Sequence, residues 1–413
     1  MESKTLDFTG LKIPRDYYLD REENTLKILV VAHESEFIGG ANRALFAILK
    51  NWKNNNLVEF EVLLPKKNGT CIQELEKMGV KYYVTKYFKV FSESRNQPQD
   101  ILRKLKVYAK FEYNKMAAKR IKNQICEKGF QLVYSNTRMT SMGIAVAKEL
   151  KIPHVMHVRE FGNENTIWGP SNIKWINENS SAIITISSAL KKHLKKMVNS
   201  EKIYSSYDGV SYNHKVRIEA KKVNTLNILL TGRITPAKAQ DEAISALQIL
   251  RNNGYKEIKL HLAGSQTSQS KYETEYFNHL QNEIKKYNLN EFVEFHGEVK
   301  DMKKLREEMD IELMCALKET FGWVTVEGMR SGLLVIGGNT GATPEIIKNK
   351  ETGLIYEQGN AKDLADKIIW AINHPEDMLK IRKQAYRYSY NNFTVEQNAK
   401  EVLDIIKQIL KEK

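Results

Sequence analysis

Ile311-Glu312-Leu313-Met314 is an apolar run of strand length, and Glu319-Thr320-Phe321-Gly322-Trp323-Val324-Thr325-Val326-Glu327 after it opens a short helical pattern that closes at Ser331-Gly332. The spacing predicts Glu319 on a loop at the carboxyl end of a strand. Glu327 is expected a turn or two inside the next helix, facing the same crevice. Between them the helix start leaves backbone N–H groups without intrahelical partners, and Gly322 lets a ligand approach the main chain closely. Free N–H groups at the positive end of a helix dipole form an anion site suited to phosphate. Carboxylates accept hydrogen bonds from hydroxyls and repel phosphate. The two glutamates are therefore expected to bracket a diphosphate and grip sugar hydroxyls on either side of it, the layout of a nucleotide-sugar site.

Outward from this stretch, strand-like runs alternate with helical patterns along the whole chain. In the second half they are Leu226 to Thr231, Ile258 to Ala263, Phe292 to Phe295, Ile311 to Met314, Leu333 to Ile336 and Leu354 to Tyr356. In the first half they are Lys27 to Ala32, Val58 to Leu64, Gln131 to Ser135, His154 to Val158 and Ala182 to Ile186. Two such series predict an α/β protein of two doubly wound domains with parallel sheets covered on both faces, and a ligand in the cleft outside the carboxyl ends of the strands. The polar stretch Ser211 to Asn224 reads as the linker. A last helix is predicted from Thr394, with Gln397 at capping-box spacing and Val395, Ala399, Val402, Ile406, Ile409 and Leu410 on one face.

The length of 413 residues exceeds what one core usually serves. The longest apolar runs, such as Leu26 to Ala32 and Leu333 to Ile336, are far short of a membrane-spanning helix. Met1 to Asn24 mixes acidic and basic residues without an apolar core, so the sequence predicts no secretory signal and a cytoplasmic protein. Cys71, Cys126 and Cys315 show no paired ligand spacing and leave an odd count, against a disulfide framework or structural zinc. A formal charge of +14 implies an anionic partner. Much of the excess lies in Lys86 to Lys122, where Arg103, Lys104, Lys106, Lys110, Lys115, Lys119, Arg120 and Lys122 are interleaved with Leu102, Leu105, Tyr108, Phe111 and Met116. This basic amphipathic segment (86–122) fits either docking on the anionic inner face of the cell membrane or a solvated helix. Nucleic acid is not expected as a partner, because no stacking pattern or recognition motif accompanies the charge.

Gly232-Arg233-Ile234-Thr235-Pro236-Ala237-Lys238 closes the first strand of the second half and is read as a helix start, with Thr235 as cap and Pro236 at the first helical position. A lysine in the first turn opposes the dipole, and an anion would resolve it. Arg233 and Lys238 are thus candidates for clamping a diphosphate without a metal, against the reading that both are ordinary surface charges. Gly39-Gly40-Ala41-Asn42-Arg43 follows the first strand and leads into a helix; the glycine pair suits either close approach of a ligand or a tight turn. His157 ends the strand His154 to Val158, with its ring expected at the cleft edge, against the reading that a lone histidine at a strand end is more often structural than catalytic.

Together, Gly39-Gly40-Ala41, His157, Gly232-Arg233 with Lys238, Glu319 to Glu327, and Gly341 to Glu345 resemble family 4 of the retaining glycosyltransferases, with its E-x7-E pattern. The resemblance spans both halves. It implies the GT-B fold: an acceptor-side Rossmann-like domain over 1–215, a nucleotide-sugar-binding domain over 216–390, and a C-terminal helix, 391–413, crossing back to the first. It also implies transfer of a sugar from a nucleoside diphosphate, UDP expected, to a glycan or lipid-linked acceptor in cell-surface polysaccharide or glycoconjugate synthesis, with no cofactor and no metal. Glu319 would contact the donor sugar, Glu327 the ribose, and Arg233 and Lys238 the diphosphate. The N–H groups near Phe321, Gly322 and Trp323, with Gly39 and Gly40 opposite, would complete the cradle, and His157 would touch the sugar near the reacting carbon. Asp208-Gly209-Val210 stands in place of the family's Asn-Gly-Val turn, a change expected to matter little. Ala239 replaces a glycine and Leu334 a proline. The alternative is a catalytically silent partner subunit that binds a glycan or glycoprotein acceptor.

Overall fold

The computed structural model describes residues 26–37, 39–93, 99–162, 166–168, 172–216, 218–219, 225–266 and 271–412. The reading of Met1 to Asn24 as free of a signal, and parts of the linker and of the 86–122 segment, lie outside them. In the first half the strands are β1 (Lys27–Val31), β2 (Glu59–Leu64), β3 (Tyr82–Val84), β4 (Phe91–Glu93), β5 (Leu132–Ser135), β6 (His154–Val158), β7 (Thr166–Trp168), β8 (Ala182–Thr185) and β9 (Ile203–Ser205). The helices between them are α1 (Gly39–Asn54), α2 (Thr70–Lys77), α3 (Asp100–Ile125), α4 (Met142–Leu150), α5 (Ile173–Asn179) and α6 (Ser188–Lys195). The second half carries β10 (Leu226–Thr231), β11 (Ile258–Ala263), β12 (Val293–Gly297), β13 (Ile311–Met314), β14 (Leu334–Gly338) and β15 (Leu354–Tyr356). Its helices are α7 (Gln240–Asn252), α8 (Lys271–Lys286), α9 (Met302–Glu307), α10 (Trp323–Arg330), α11 (Thr343–Ile346), α12 (Ala361–Asn373), α13 (Pro375–Asn392) and α14 (Val395–Lys411).

Two all-parallel sheets result, in the orders β3-β2-β1-β5-β6-β8-β9 and β12-β11-β10-β13-β14-β15. Each is a doubly wound, Rossmann-like sheet. The apolar runs are continuous because helices cover both faces: in β1, Ile28 and Val30 pack with α1 and α14, while Leu29 and Val31 pack with α3 and α4. The order reverses beside β1 and β5 in one sheet and beside β10 and β13 in the other. Loops leaving these strands therefore diverge and open a crevice at the carboxyl ends. A two-stranded antiparallel pair, β4 with β7, sits apart.

A third apolar cluster crosses from one domain to the other, joining Met156, Val158 and Ile183 to Phe321, Val326, Met329 and Val335, with Phe393 between. Arg330 fastens this seam. Its buried guanidinium donates to the carbonyls of Val210 and Tyr212 in the linker and of Ser389 and Phe393 at the end of α13. Gly209 is required here, since a Cβ would lie 2.4 Å from the Val395 Cα. Leu334, where proline was the family's residue, uses its N–H to donate to the Asp310 carbonyl.

After α13 the chain returns to the first domain. Thr394 accepts from the Gln397 N–H and starts α14, whose Ala399, Val402, Ile406 and Ile409 complete the core under α1. The Trp52 indole donates to the Ala399 carbonyl at 3.0 Å. Ile406→Ala should cost about 2–5 kcal/mol, as deletion of a buried aliphatic side chain does. Hydrogen exchange should show protection falling in α1 and β1 rather than in β10 to β15.

Candidate functional site

The loops after β10 and β13 flank the second sheet's reversal point, and they bring Lys238 and Glu319 together. Lys238 Nζ lies 2.7 Å from Glu319 Oε2. The lysine stem lies across Gly232 (φ +156°), where a Cβ would come within 3.3 Å of it. The local conformation departs from the expected helix start. Pro236–Lys238 is a single 3-10 turn, Thr235 makes no side-chain cap, and Ala239 is left-handed (φ 49°, ψ 49°) before α7 begins at Gln240. A non-glycine residue there costs on the order of 1–2 kcal/mol. The lysine's charge is met by Glu319, so no bound anion is needed to account for its position. Gly341 (φ +59°) secures the Glu319 loop from the other side: a Cβ would lie 2.3 Å from the Glu319 carbonyl, which accepts from the Ala342 N–H. Arg233 is exposed and its side chain makes no hydrogen bond or ion pair with the described residues.

Gly322 (φ +111°) precedes α10, which has no side-chain cap, and the buried Thr325 Oγ1 in its first turn has no partner. Glu327 lies one turn further and is nearly buried. Two cations hold it: Arg306 Nη1 at 3.0 Å from Oε2 and Arg43 Nη2 at 3.2 Å from Oε1. Arg306 also makes a bidentate pair with Glu312 of β13, at 2.9 and 3.0 Å. Burial opposes a charge on Arg306, but Glu312 and Glu327 more than offset it, so its pKa is raised. Sequence reasoning missed both Arg306 and Arg43. The available signal was Glu312, a carboxylate inside an apolar strand run that demands a buried cation.

Across the crevice, α1 begins at Gly39 (φ +81°). A Cβ on Gly39 or Gly40 would meet nothing within 4 Å, so the protein's own packing does not exclude a side chain at Gly40. Arg43, a turn along α1, crosses to the second domain: besides Glu327, its guanidinium lies 5.1 Å from the centre of the Trp323 ring. A cavity of about 750 Å³ opens on the far side of Arg43, beside α1, the linker and α14, and none of the Gly232 or Glu319 loop residues lines it.

His157 is not at the cleft edge. Its ring is fully buried between β5 and β8, with Nδ1 against the Tyr134 hydroxyl and Nε2 without a partner. Burial, with Arg159 nearby, pushes its pKa well below the ordinary histidine value, so the imidazole is neutral. Arg159 pairs with Asp208 at 2.5 Å, and the other Asp208 oxygen accepts from the Trp323 indole at 3.0 Å. The aspartate at this turn is thus not an idle replacement: its charge compensates a buried guanidinium and ties it to α10. Phe321 and Trp323 contribute side chains to the seam, Phe321 packing on Tyr207 and Phe393, which leaves their backbone for any ligand. Glu345 accepts from the Ser188 and Ala189 N–H groups and the Tyr207 hydroxyl, capping α6 from the opposite domain. On the first-domain side of the crevice, burial works against ionised Glu34, but His33 and Lys89 outweigh it and hold its pKa down to about 2.

The geometry therefore assembles Lys238, Glu319, the start of α10, Glu327 and the Gly39-Gly40 helix around one crevice. It leaves Arg233 unattached and His157 sealed. All three cysteines are free, the thiols of Cys71 and Cys315 being pushed up to about 12 by burial. Among the described residues no helix is long and apolar enough to cross a membrane.

Residues 213–388 match the family described as glycosyl transferases group 1. An uncharacterized glycosyltransferase of Methanocaldococcus jannaschii is 27% identical over 285 residues, 66% of this chain and 74% of that protein. The capsular polysaccharide biosynthesis glycosyltransferase CapM of Staphylococcus aureus is 28% identical over 206 residues, covering 46% of this chain and 52% of CapM. Anabaena HepE, solved in complex with UDP, superposes with a TM-score of 0.74 at 20% identity, over 93% of this chain and all of that one. The fold is thus GT-B.

Replacing Arg306 by methionine should destabilise the protein by about 3–5 kcal/mol, because Glu312 and Glu327 are left buried without their cation. The drop is read from the urea midpoint at unchanged slope.

Proposed function

We propose, from the match of residues 213–388 to the glycosyl transferases group 1 family, that the protein is a retaining, metal-independent glycosyltransferase of family 4. It moves a sugar from a UDP-sugar to a glycan or lipid-linked acceptor in polysaccharide or glycoconjugate synthesis. The observation that carries this reading is the placement of Lys238 against Glu319 at 2.7 Å, with the uncapped start of α10 and Glu327 next to them. The UDP in HepE supports the donor base, and the part of CapM in capsular polysaccharide biosynthesis supports the pathway class.

Lys238, with Arg233 swinging in from its exposed position, holds the diphosphate over the first turn of α10, where free N–H groups and Thr325 Oγ1 await an acceptor. Those charges stabilise the leaving group, which is the work a metal ion does in other transferases. Glu319 turns to the donor sugar as Lys238 turns to phosphate. Glu327 exchanges Arg43 for the ribose hydroxyls while Arg306 keeps the carboxylate in place. Gly40, whose missing side chain the fold does not require, approaches the phosphate from the other domain. His157 reaches the sugar through Nε2 once the atoms covering it move. The bond from the anomeric carbon to the phosphate oxygen breaks, the acceptor oxygen attacks on the same face, and its proton passes to the departing phosphate.

The acceptor reading draws on α3. Ile101, Leu102, Leu105 and Tyr108 are 67, 59, 60 and 53% exposed amid Lys104 and Lys106, while Phe111, grouped with them by sequence, turns inward. An apolar row set in basic residues suits an anionic lipid surface.

Lys238→Ala should fold normally and lose about two to three orders of magnitude in turnover of a UDP-sugar, as loss of a charge contact to the leaving group does. Unchanged turnover would refute the assignment, and a wild-type protein inert towards every nucleotide sugar would favour the silent-partner alternative. The protein should also co-float with vesicles containing anionic lipid at low salt and be released as salt screens the charges. The double substitution Leu102→Asp with Leu105→Asp should abolish flotation and leave activity on a soluble acceptor intact.

A further inference from the structure

His261 of β11 and Glu294 and His296 of the edge strand β12 form a cluster that the transferase reading does not use. Leu260 and Leu262 face α7 and α8, so alternation puts His261 on the opposite face of the sheet, and register places Glu294 directly across from it. The side-chain ligand atoms of the three residues all lie within 4.8 Å of one another. His261 is buried, His296 is half-buried and Glu294 is exposed, so the cluster opens to solvent on one side.

The hydrogen bonds around His261 fix which nitrogen is available. Asn227 donates its amide to the Glu308 carbonyl at 3.1 Å, which turns its Oδ1 towards His261 Nε2 at 3.3 Å. An oxygen acceptor there requires the proton on Nε2. Nδ1 is then a bare lone pair, and it faces His296 Nε2 at 2.9 Å and Glu294 Oε2 at 3.6 Å. The second Glu294 oxygen lies 3.8 Å from His296 Nδ1. The carboxylate is thus too far for a hydrogen bond to either ring. Two ligands on one tetrahedral zinc, each about 2.1 Å from the ion, stand about 3.4 Å apart, between the 2.9 and 3.6 Å that separate His261 Nδ1 from His296 Nε2 and from Glu294 Oε2.

We infer that His261, Glu294 and His296 bind a borderline divalent cation of the zinc type, with Asn227 orienting His261 from behind. Two imidazoles and one carboxylate are the donor set such ions select, and the carboxylate–metal contact would pin β12 to β11 at the sheet edge. Because the three ligands come from adjacent strands of one folded sheet, binding stabilises the native state over the unfolded chain.

The test is calorimetric titration of the full chain with Zn²⁺, beside thermal melts with and without the ion. The chain should take up one ion and melt at a higher temperature with it. Glu294→Gln and His296→Gln, both at accessible positions, should melt like the parent in chelator, bind at least about tenfold more weakly and lose most of the shift. Asn227→Ala should weaken binding while all three ligands remain. Absence of binding at tens of micromolar Zn²⁺ would overturn the inference. So would undiminished binding by the Glu294→Gln, His296→Gln double variant, which would move the ion to exposed Cys126 or to scattered carboxylates.

Discussion

The Arg306 guanidinium, buried between Glu312 and Glu327, is the contact on which the crevice depends. Glu312 belongs to the core of the second sheet and Glu327 to the helix that forms the crevice wall, so a single planar cation registers helix on sheet. The attraction between such groups is strong only because water is excluded, and removing any one member leaves a charge that the interior cannot solvate. That is why α10 can present its first turn without a side-chain cap: its position is set from within. The carboxylates facing the gap are also already matched, Glu319 by Lys238 and Glu327 by Arg43. Ligand entry there is an exchange of partners.

Exchange of this kind fits two lobes that are joined firmly on one side and lightly on the other. At the seam, aromatic and aliphatic side chains run without interruption from β6 and β8 to α10 and β14, and Arg330 collects four carbonyls from the linker and α13. Across the crevice the ties are polar and fewer: Arg43 with Glu327, and Lys318 over the Phe161 ring at 4.6 Å. Relative movement of the lobes is accordingly easier at the crevice than at the seam, where it would open apolar surface to water.

The second sheet was legible because most of its strands are compact, largely apolar runs between polar helices, and all six appear within one or two residues of the expected limits. The first sheet was only partly so. β3 and β9 are three-residue strands, half-buried or paired on one side only, and neither carries an apolar run long enough to stand out. The glutamate pair and Lys238 were readable from their place after strands, since a loop at a carboxyl end must face the crevice. Arg43 and Arg306 were not, because in a chain with 64 basic residues a single arginine carries no signal until the fold supplies its partner. The burial of His157 was hidden for a different reason. A histidine at a strand end can point into the protein or out of it, and here Tyr134 of the neighbouring strand and Arg159, just past the end of the same strand, meet its Nδ1 inside the protein.

The return of α14 has a consequence for the order of events on the ribosome. Its Ala399, Val402, Ile406 and Ile409 fill the gap between α1 and the first sheet, yet they are translated only after the whole second lobe. Until then the nascent first lobe carries an uncovered greasy groove along α1, so its completion trails its own synthesis by roughly the time needed to add two hundred residues, on the order of ten to forty seconds at ordinary elongation speeds. During that interval a chaperone has a defined strip to shield.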